Sequence, residues 1–265
     1  MVDNQKFMQK NISLYIHLPF CEKKCFYCSF VVSVGQLHRR EDYLQCLRQE
    51  AGRYQGEPLH SIYWGGGTPS LLTEAQMQDL IGMIRFVFVV GAGIEFTAEA
   101  NPEDITPQKA RLLRSIGVNR ISLGAQSFND DHLKYLGRCH DARQIGVAYD
   151  TLRAAGFDNI NLDLMYSFPK QSFSQLEKDV KALTALNSEH VSLYTLTVDP
   201  HSRFFAKKIE EVNGDLQADQ YLRVTDLLQA AGYRQYEVSS FSKPRRESRH
   251  NFHYWHGGNY IGLGV

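Results

Sequence analysis

The chain has 265 residues, of which 43% are hydrophobic and 22% are charged, which suits one large domain or one and a half with ample core. Lysine plus arginine and aspartate plus glutamate both number 29, so bulk charge indicates neither a nucleic-acid partner nor an acidic membrane surface. The longest apolar stretch, Phe86 to Ile94, is too short to span a bilayer, and the polar N-terminus lacks a secretory core. We therefore expect a cytoplasmic protein with reduced cysteines.

Short β-branched or aromatic runs alternate with longer segments whose apolar residues recur at helical spacing. The predicted strands are Leu14–Leu18, Ser61–Trp64, Ile94–Ala98, Arg120–Gly124, Asn159–Met165 and His190–Leu196. The predicted helices are Glu41–Tyr54, Thr73–Phe86, Pro107–Ile116, Ala142–Ala155 and Phe173–Leu186. Six such units predict an α/β fold with a parallel sheet and right-handed crossovers. We expect a partial (β/α)6 TIM-like barrel, open on one side, although periodicity alone does not separate it from a doubly wound sheet.

The pattern changes after the sixth predicted strand. Residues Asp215–Ala231 predict a long helix, Tyr233–Ser240 predict a strand, and a basic, histidine-rich segment, KPRRESRHNFHYW, follows. We divide the chain into an N-terminal tail over residues 1–11, a (β/α)6 core over 12–200 and a small C-terminal extension over 201–265. The last residues are apolar and rich in glycine, so we expect that the chain ends inside a larger fold and that a C-terminal portion is absent.

Three cysteines, Cys21, Cys25 and Cys28, occur within eight residues in the run CEKKCFYC. Their C-x3-C-x2-C spacing can hold an iron–sulfur cluster at three corners and leave the fourth iron open, because thiolates are the usual ligands of such clusters. Zinc sites instead pair C-x2-C units, or combine cysteine with histidine, to reach four ligands. The alternative is three unrelated buried thiols, but the intervening charged residues, EKK, are not typical of a core.

Glycine-rich or polar segments follow several predicted strands, and reactive groups collect at the carboxyl ends of strands in parallel barrels. The run Gly65–Pro69 could bring backbone amides close to a ligand, although a tight turn is the alternative. Later strand ends supply Glu99, Gln126 and Asp163, and a carboxylate in an apolar strand is costly unless it is paired or ligand-bound. Arg138 could pair with a substrate carboxylate. Together these residues favour one shared small-molecule site.

A cluster with an open iron suits a ligand that chelates it through an amine and a carboxylate and that also carries a group able to accept an electron. S-adenosylmethionine (SAM) meets both requirements, since reduction of its sulfonium by one electron cleaves a C–S bond and gives a 5′-deoxyadenosyl radical. The cofactors supply this chemistry, and the protein positions them and excludes water.

The sequence strongly resembles the radical SAM superfamily, and within it the group that contains oxygen-independent coproporphyrinogen III oxidase and the HemW-type haem chaperones. The matching stretches are LYIHLPFCEKKCFYCSF, YWGGGTPS, TAEANPE, ISLGAQSFND, LGR, NLDLMYSFPKQ and YEVSSFSKP…RHNFHYW, in this order from residue 12 onward. The resemblance implies a radical SAM barrel in which Cys21, Cys25 and Cys28 bind a [4Fe–4S] cluster. The positions that it assigns to SAM are Tyr15, Gly66, Gly67, Thr68, Glu99, Gln126, Arg138 and Asp163, with Tyr27 where coproporphyrinogen oxidase carries an aromatic residue at a second SAM.

Two features separate the subgroups. Coproporphyrinogen oxidases carry the motif C-x3-C-x2-C-x-C and have a longer segment before the cysteine loop. In this chain Phe30 stands where that motif has its fourth cysteine. Conversely, His250, Asn251 and Tyr254 match the H-N-x-x-Y motif of the HemW-type chaperones, so His250 could supply a neutral imidazole to haem iron. The alternative is that His250 and Tyr254 pack the C-terminal end of the barrel. The arginines that could meet the haem propionates are Arg245, Arg246 and Arg249.

Three functions are compatible with these features. We favour a radical SAM protein that binds haem or a porphyrin and hands haem to an acceptor protein; a homodimer and peripheral membrane contact through the acceptor would be consistent with this role, and no catalytic residue is assigned. The alternative is an oxygen-independent coproporphyrinogen III dehydrogenase, in which the radical abstracts hydrogen from a propionate, CO2 leaves and one electron passes to an acceptor. The third is a radical SAM enzyme that acts on another substrate, such as a methylase or a nucleic-acid modifier; the neutral charge argues against an RNA substrate, and we expect no nucleic-acid partner.

Overall fold

The computed structural model describes residues 12–264, so the predicted tail over residues 1–11 lies outside the described residues. The parallel core of its main sheet contains β1 (Ile12–Leu18), β4 (Pro58–Gly66), β5 (Val89–Ala100), β6 (Arg120–Gln126), β7 (Ile160–Tyr166) and β8 (His190–Thr195). All six predicted strands are therefore confirmed. Two short strands, β2 (Phe20–Cys21) and β3 (Ser33–Val34), pair with each other on either side of the cysteine loop.

The C-terminal extension adds strands to both edges of this sheet. β11 (Tyr260–Leu263) pairs parallel with β1, and β10 (Ser240–Ser242) pairs antiparallel with β8 and with β9 (Arg234–Glu237). The prediction of a single strand over Tyr233–Ser240 is wrong, because the chain reverses after β9. The Ser239 amide donates to the Glu237 carboxylate at 3.0 Å and closes that turn. The predicted domain boundary near residue 200 stays a prediction.

Helices cover the outer face of the core sheet. Those that match the prediction are α1 (Arg40–Ala51), α2 (Glu74–Val87), α3 (Pro107–Ser115), α5 (Ala142–Ala154), α6 (Phe173–Ala185) and α8 (Gly214–Ala230). Three shorter helices were not predicted: α4 (Asp130–Leu136), α7 (Arg203–Ala206) and α9 (Arg249–Trp255). Among residues 12–264, none of the helices has the length and apolar character needed to cross a bilayer.

The two faces of the core sheet differ in chemistry because successive side chains of a strand point to opposite faces. One set is apolar and packs beneath the helices, and it includes Leu14, Ile62, Phe96, Leu123 and Leu162. The other set is polar yet buried, and it includes Ser13, Ser61, Glu95, Arg120, Asn161 and His190. The interior of the open barrel is therefore lined by polar side chains, which need internal hydrogen-bond partners.

Helix α9 is fixed at the amino end of strands β1 and β4. Ser248 caps it through a side chain that accepts from the Asn251 amide at 3.3 Å. The Glu95 carboxylate accepts from the amides of Arg249 (3.0 Å) and His250 (2.9 Å), a favourable place for negative charge at a helix N-terminus. The second half of the segment that the sequence identified only as basic and histidine-rich is thus a helix anchored to β5.

Candidate functional site

A cavity of about 410 Å³ lies at the carboxyl ends of the core strands, beneath the cysteine loop. Of the residues that the sequence assigned to the cluster and to SAM, all but Tyr15 line it. These are Cys21, Cys25, Tyr27, Cys28, Gly66, Gly67, Thr68, Glu99, Gln126, Arg138 and Asp163. Tyr15 lies outside the cavity wall, with its hydroxyl 3.0 Å from His17 Nδ1 and its ring centroid 6.0 Å from that of Tyr63. One continuous site therefore collects residues from the ends of four core strands, from the cysteine loop and from the loop that follows α4.

The glycine run at the end of β4 packs directly against the chain that enters the cysteine loop. A Cβ atom at Gly67 would stand 2.6 Å from the carbonyl carbon of Pro19, a distance that real Cβ contacts do not reach. The Gly67 and Thr68 amides donate to the carbonyls of Leu18 (2.9 Å) and Phe20 (2.8 Å). The sequence indicated that these glycines admit a ligand, but at Gly67 the close neighbour is the protein backbone itself. The glycine run thus fixes where the cysteine loop begins.

The cysteine loop is held by contacts from three other segments. Thr68 Oγ1 donates to Cys21 Sγ at 3.6 Å, and the Phe26 amide donates to the carbonyl of Leu136 at 2.9 Å. On the far side of the loop, the Phe204 amide donates to the Phe26 carbonyl at 2.9 Å. These bonds between protein groups hold the loop over the cavity.

The chemistry of the three thiols fits a cluster better than a single ion. Within residues 12–264, no three histidine, cysteine, aspartate or glutamate side chains form a group that could hold one metal ion. A cubane cluster makes a different demand, because each thiolate binds a separate iron and the sulfur atoms stand farther apart. Burial raises the pKa of the Cys21 and Cys28 thiols, so iron binding would displace their protons. The loop can therefore present three ligands and leave one iron open.

Arg138 joins the cysteine loop to the strand ends. Its Nη1 donates to Cys25 Sγ at 3.5 Å, and its Nη2 donates to Asn101 Oδ1 at 2.5 Å and to the Gly124 carbonyl at 3.1 Å. The preceding residue, Gly137, ends α4 in the left-handed region, and a Cβ there would stand 2.9 Å from the ring of Phe26. The buried Nε of Arg138 has no hydrogen-bond partner in the described part of the chain. An unpaired buried donor on the cavity wall fits an anionic group of a bound ligand.

Two partly buried carboxyl groups face the cavity from the ends of β5 and β7, on either side of β6. Glu99 accepts from the Tyr63 hydroxyl at 2.9 Å and from the Gly66 amide at 3.1 Å. Asp163 accepts from the Asn161 side chain at 2.7 Å. Burial raises the pKa of Glu99 to about 7 and that of Asp163 to about 6. A ligand that brings positive charge or hydroxyl donors would favour their ionised forms, and SAM has both.

Gln126 ends β6 in a conformation that L residues rarely adopt. Its φ is 67°, and the pairing of β6 with β7 shifts register between Leu123 and Gln126. Left-handed backbone at a non-glycine residue persists only where the surroundings impose it, and it clusters at binding sites. The irregular strand end places Gln126 on the cavity wall.

Several wall residues were not identified from the sequence. Met165 and Tyr194 line the cavity from β7 and β8, and Ser29 in the cysteine loop donates to Asp199 at 3.3 Å. Tyr194 has the same strand parity as His190, so alternation along β8 could have revealed it. The Ser29–Asp199 contact joins segments far apart in the sequence and leaves no local signal.

The H-N-x-x-Y motif lies away from this cavity. His250 is 1% exposed, and its ring sits at the amino end of the strands, next to Ser61, about 16 Å along β4 from Gly66. Its Nδ1 is 2.7 Å from Ser61 Oγ, and its Nε2 is 2.9 Å from the Tyr254 hydroxyl. Burial lowers the pKa of His250 to about 3, so the ring is neutral. His250 could bind haem iron only after it gives up one of these hydrogen bonds; its role as a haem ligand stays a prediction.

The remaining motif residues lie around His250. Asn251 is half-buried, and its amide bonds the capping Ser248. The Tyr254 ring packs edge-on against His250, with centroids 4.7 Å apart, and against Tyr260 at 5.0 Å. The alternative to haem binding was that His250 and Tyr254 pack the C-terminal end of the barrel. The location in that prediction is wrong, because both residues lie at the amino end of β1 and β4.

Comparisons with known proteins identify the family of the chain. Residues 15–183 match the family described as the Radical SAM superfamily. The heme chaperone HemW of Bacillus subtilis (strain 168) is 38% identical over 262 residues, which cover 96% of this chain and 69% of that protein. The heme chaperone HemW of Escherichia coli (strain K12) is 38% identical over 259 residues, which cover 96% and 68%.

A solved structure provides the fold comparison. The radical SAM enzyme coproporphyrinogen III oxidase (HemN) from Escherichia coli has a TM-score of 0.85 and 28% identity to this chain, covering 98% of this chain and 66% of that one. The chain thus spans about two thirds of the length of these proteins, and the predicted partial radical SAM barrel is confirmed. The chain belongs to the radical SAM superfamily and, within it, to the family of the proteins named heme chaperone HemW.

Proposed function

We propose that this chain binds haem and passes it to acceptor proteins, and that it does so as a radical SAM protein. The observation that carries the proposal is its identity of 38% over 96% of its length to a protein named heme chaperone. Phe30 supports it as well, because a fourth loop cysteine would resemble the coproporphyrinogen oxidases, and this position has an exposed phenylalanine.

In this proposal Cys21, Cys25 and Cys28 hold a [4Fe–4S] cluster over the cavity. The support is their common place on the cavity wall and the contacts that Thr68 and Arg138 make to two of the thiols. When bound together, a reduced cluster and SAM supply an electron and a cleavable C–S bond. The contribution of the chain is to orient them and to keep water away.

SAM would occupy the rest of the same cavity. Its cationic and hydroxyl groups would meet Glu99 and Asp163, and its carboxylate would meet Arg138, whose Nε is unpaired in the described part of the chain. The other wall positions proposed for SAM are Tyr27, Gly66, Gly67, Thr68 and Gln126. Tyr15 would act indirectly, because its ring packs against Gly65 in the glycine run. A Cβ atom at Gly65 would stand 3.0 Å from that ring.

Haem would bind at the other end of the barrel, at the segment that contains His250, Asn251 and Tyr254. This motif anchors α9 through buried hydrogen bonds, and α9 carries exposed aromatic side chains together with basic residues. We propose that the motif organises the haem-binding segment. The nearby arginines available to propionates are Arg245, Arg246 and Arg249.

The partners follow from this role. We propose a cytoplasmic protein that acts as a monomer or a homodimer, delivers haem to an acceptor protein and touches a membrane only through that acceptor. The balanced charge of 29 basic and 29 acidic residues supports the absence of a nucleic-acid partner.

The test is an anaerobic haem titration of the full chain with its cluster reconstituted, followed by absorbance and compared with an unrelated protein of similar size. We expect saturable binding at one haem per chain and transfer of haem to an added apo-acceptor such as a haem-depleted cytochrome. Binding no tighter than to the unrelated protein would contradict the proposal. His250→Ala is expected to weaken binding, because it removes the anchor of α9.

The alternative function is oxidative decarboxylation of coproporphyrinogen III. The observation that favours it is the TM-score of 0.85 to coproporphyrinogen III oxidase (HemN). The assay is conversion of coproporphyrinogen III to protoporphyrinogen IX with SAM and a reductant under anaerobic conditions. Sustained turnover would reverse the ranking of the two functions.

A further inference from the structure

Tyr63 on β4 contacts the cavity carboxylate Glu99 without lining the cavity itself. Its hydroxyl donates to Glu99 Oε1 at 2.9 Å, whereas only Glu99 of the two residues belongs to the cavity wall. Tyr63 pairs with Thr97 of β5, so Glu99 is the next residue of β5 that points to the same interior face. The hydroxyl can therefore act on a ligand in the cavity through Glu99.

Gly65 leaves the space that this contact needs. A Cβ atom at Gly65 would stand 2.9 Å from the Tyr63 ring and 3.1 Å from Glu99 Oε1, and the first of these distances is one that real Cβ contacts do not reach. An added side chain would therefore push the two groups apart. The first glycine of the run thus has a role that the sequence did not indicate, because it lets the hydroxyl and the carboxylate meet.

The ring of Tyr63 is packed on two sides. Its centroid lies 6.0 Å from that of Tyr15 and 5.0 Å from that of His250. These distances are typical of interacting aromatic rings, so both neighbours help to keep the hydroxyl directed at Glu99. The substitution Tyr63→Phe keeps this ring packing and removes the hydroxyl alone.

Glu99 depends on this hydroxyl because it has few other partners. Within residues 12–264 no lysine, arginine or histidine forms an ion pair with its carboxylate. The other hydrogen bond to it comes from the Gly66 amide at 3.1 Å. Burial raises the pKa of Glu99, and the hydrogen bonds from Tyr63 and the Gly66 amide oppose that rise because they favour the ionised form.

The remaining titratable and charged groups around Glu99 do not replace the hydroxyl. Acidic groups face it from three strands, and negative charge on any of them disfavours a second negative charge; these are Tyr15 on β1, Asp163 on β7 and Tyr194 on β8. Two arginines, Arg120 on β6 and Arg138 after α4, favour the ionised form of Asp163. In the described part of the chain, Tyr63 is thus the one side chain that donates a hydrogen bond to Glu99.

We propose that Tyr63 is a positioning residue for SAM, whose hydroxyl orients the Glu99 carboxylate and stabilises the ionised form that a cationic ligand binds. This inference rests on the SAM site of the proposed function. A hydrogen bond to a charged group is stronger than one between neutral groups, so the hydroxyl favours the carboxylate over the protonated acid. Its effect on SAM binding therefore depends on pH, whereas a packing role would act equally at every pH.

The first experiment compares the SAM affinity of reconstituted wild type and Tyr63→Phe by isothermal titration calorimetry from pH 6.5 to pH 8.5. The pKa of Glu99 is about 7 in wild type. If the hydroxyl favours the ionised form by about tenfold, its loss should reduce affinity by about eightfold at pH 6.5 and by less than about twofold at pH 8.5. The matched control is Tyr233→Phe, which removes another hydroxyl, bonded to the Ser188 carbonyl outside the cavity wall, and should bind SAM as wild type does.

The second experiment needs neither SAM nor the cluster. In the cluster-free full chain labelled with ¹³C-glutamate, NMR follows the titration of the Glu99 carboxyl carbon, assigned by its absence in Glu99→Gln. The midpoint should be higher in Tyr63→Phe than in wild type and unchanged in Tyr233→Phe. An equal midpoint in wild type and Tyr63→Phe would overturn the inference, and so would a loss of SAM affinity that is the same at every pH.

A double variant tests whether the hydroxyl acts through Glu99. Tyr63→Phe combined with Glu99→Gln should bind SAM within about twofold of Glu99→Gln alone, because the group on which the hydroxyl acts is already neutral. A further loss as large as that in the wild-type background would contradict the inference. If reconstituted wild type binds no SAM at any pH, the proposed SAM site fails together with the role of Tyr63 toward SAM; a raised NMR midpoint in Tyr63→Phe would distinguish that outcome from failure of the Tyr63–Glu99 contact.

Discussion

Arg138 Nη1 lies 3.5 Å from Cys25 Sγ, and through this contact the strand ends of the barrel reach the cysteine loop. The same guanidinium holds Asn101 and the Gly124 carbonyl, so the position of the middle cysteine depends on the ends of β5 and β6. The cysteine loop is thus part of the cavity wall, and its position depends on the strand ends.

Replacement of Cys25 by serine should abolish the cluster. A serine hydroxyl is a poor substitute for a thiolate ligand, and with two remaining ligands the loop cannot retain a cubane. After anaerobic reconstitution, wild type should carry about four iron atoms per chain and Cys25→Ser should carry close to none. The matched control is Cys46→Ser, since Cys46 is an exposed thiol on α1 and should not affect iron content. A full cluster in Cys25→Ser would contradict the site assignment.

Gly67→Ala should destabilise the protein and reduce cluster loading together. The new Cβ would stand 2.6 Å from the Pro19 carbonyl carbon, so backbone must move, at a cost of about 1–3 kcal/mol in the free energy of unfolding. Urea denaturation and iron content are the measurements. The control is Gly82→Ala, because Gly82 lies in α2 with no heavy atom within 4 Å of the added Cβ, and alanine there should stabilise by about 0.5–1 kcal/mol. Equal stability of the two variants would show that the close approach at Gly67 is relaxed in solution.

Affinity for SAM should rise with pH between about 5.5 and 8. In the empty cavity the pKa values are about 7 for Glu99 and about 6 for Asp163, both raised by burial, so lower pH leaves these carboxyls protonated. A cationic ligand binds the ionised forms better, and each carboxyl can contribute up to about tenfold in affinity per pH unit below its pKa. Isothermal titration calorimetry across this range measures the slope. Glu99→Gln should flatten the part of the slope near pH 7; an unchanged slope in that variant would remove Glu99 from the explanation.

His250 should make the folded state sensitive to acid. Its pKa is about 3 in the folded protein, because burial favours the neutral ring, against about 6.5 in the unfolded chain. Between these values the unfolded state binds more protons, so the contribution of His250 to the free energy of unfolding is complete above pH 6.5. It falls by about 1.4 kcal/mol per pH unit as pH decreases below that value.

The difference between wild type and His250→Gln isolates this effect, since both proteins share the remaining titrating groups. At pH 7 the variant should be less stable, because glutamine cannot bond Ser61 and Tyr254 together as the ring does. The gap between their unfolding free energies, from urea titrations at several pH values, should narrow from pH 6.5 to pH 4. If the difference in unfolding free energy between the two proteins stays constant over this pH range, the His250 ring is protonated to the same extent in the folded and unfolded states.

Much of the core was predictable from the sequence because its signals are local. Short β-branched or aromatic runs located the six core strands, and the cysteine spacing together with the strand ends located the cavity wall. The hairpin of β9 and β10 was not predicted, since Val238 and Ser239 contain neither glycine nor proline to mark the turn. Helix α9 was not predicted either, because RHNFHYW has no apolar periodicity.

The burial of His250 shows most clearly what the sequence could not predict. The residue stands in a basic, polar segment, and nothing near it in the chain indicates a core position. Its partner Ser61 is 189 residues earlier, on a strand whose polar side chains face inward. Only the folded barrel brings them together, and its polar interior reverses the usual rule that polar strand residues face solvent.

The pairing of β1 with β11 has a consequence for how the protein is made. Among the described strands β1 leaves the ribosome first, and its outer partner β11 follows only after all the other described strands, whereas the cysteine loop emerges directly after β1. During synthesis the outer edge of β1 therefore stays open, and such an edge invites pairing with other chains. Cells that produce this protein need to protect that edge until translation has delivered β11.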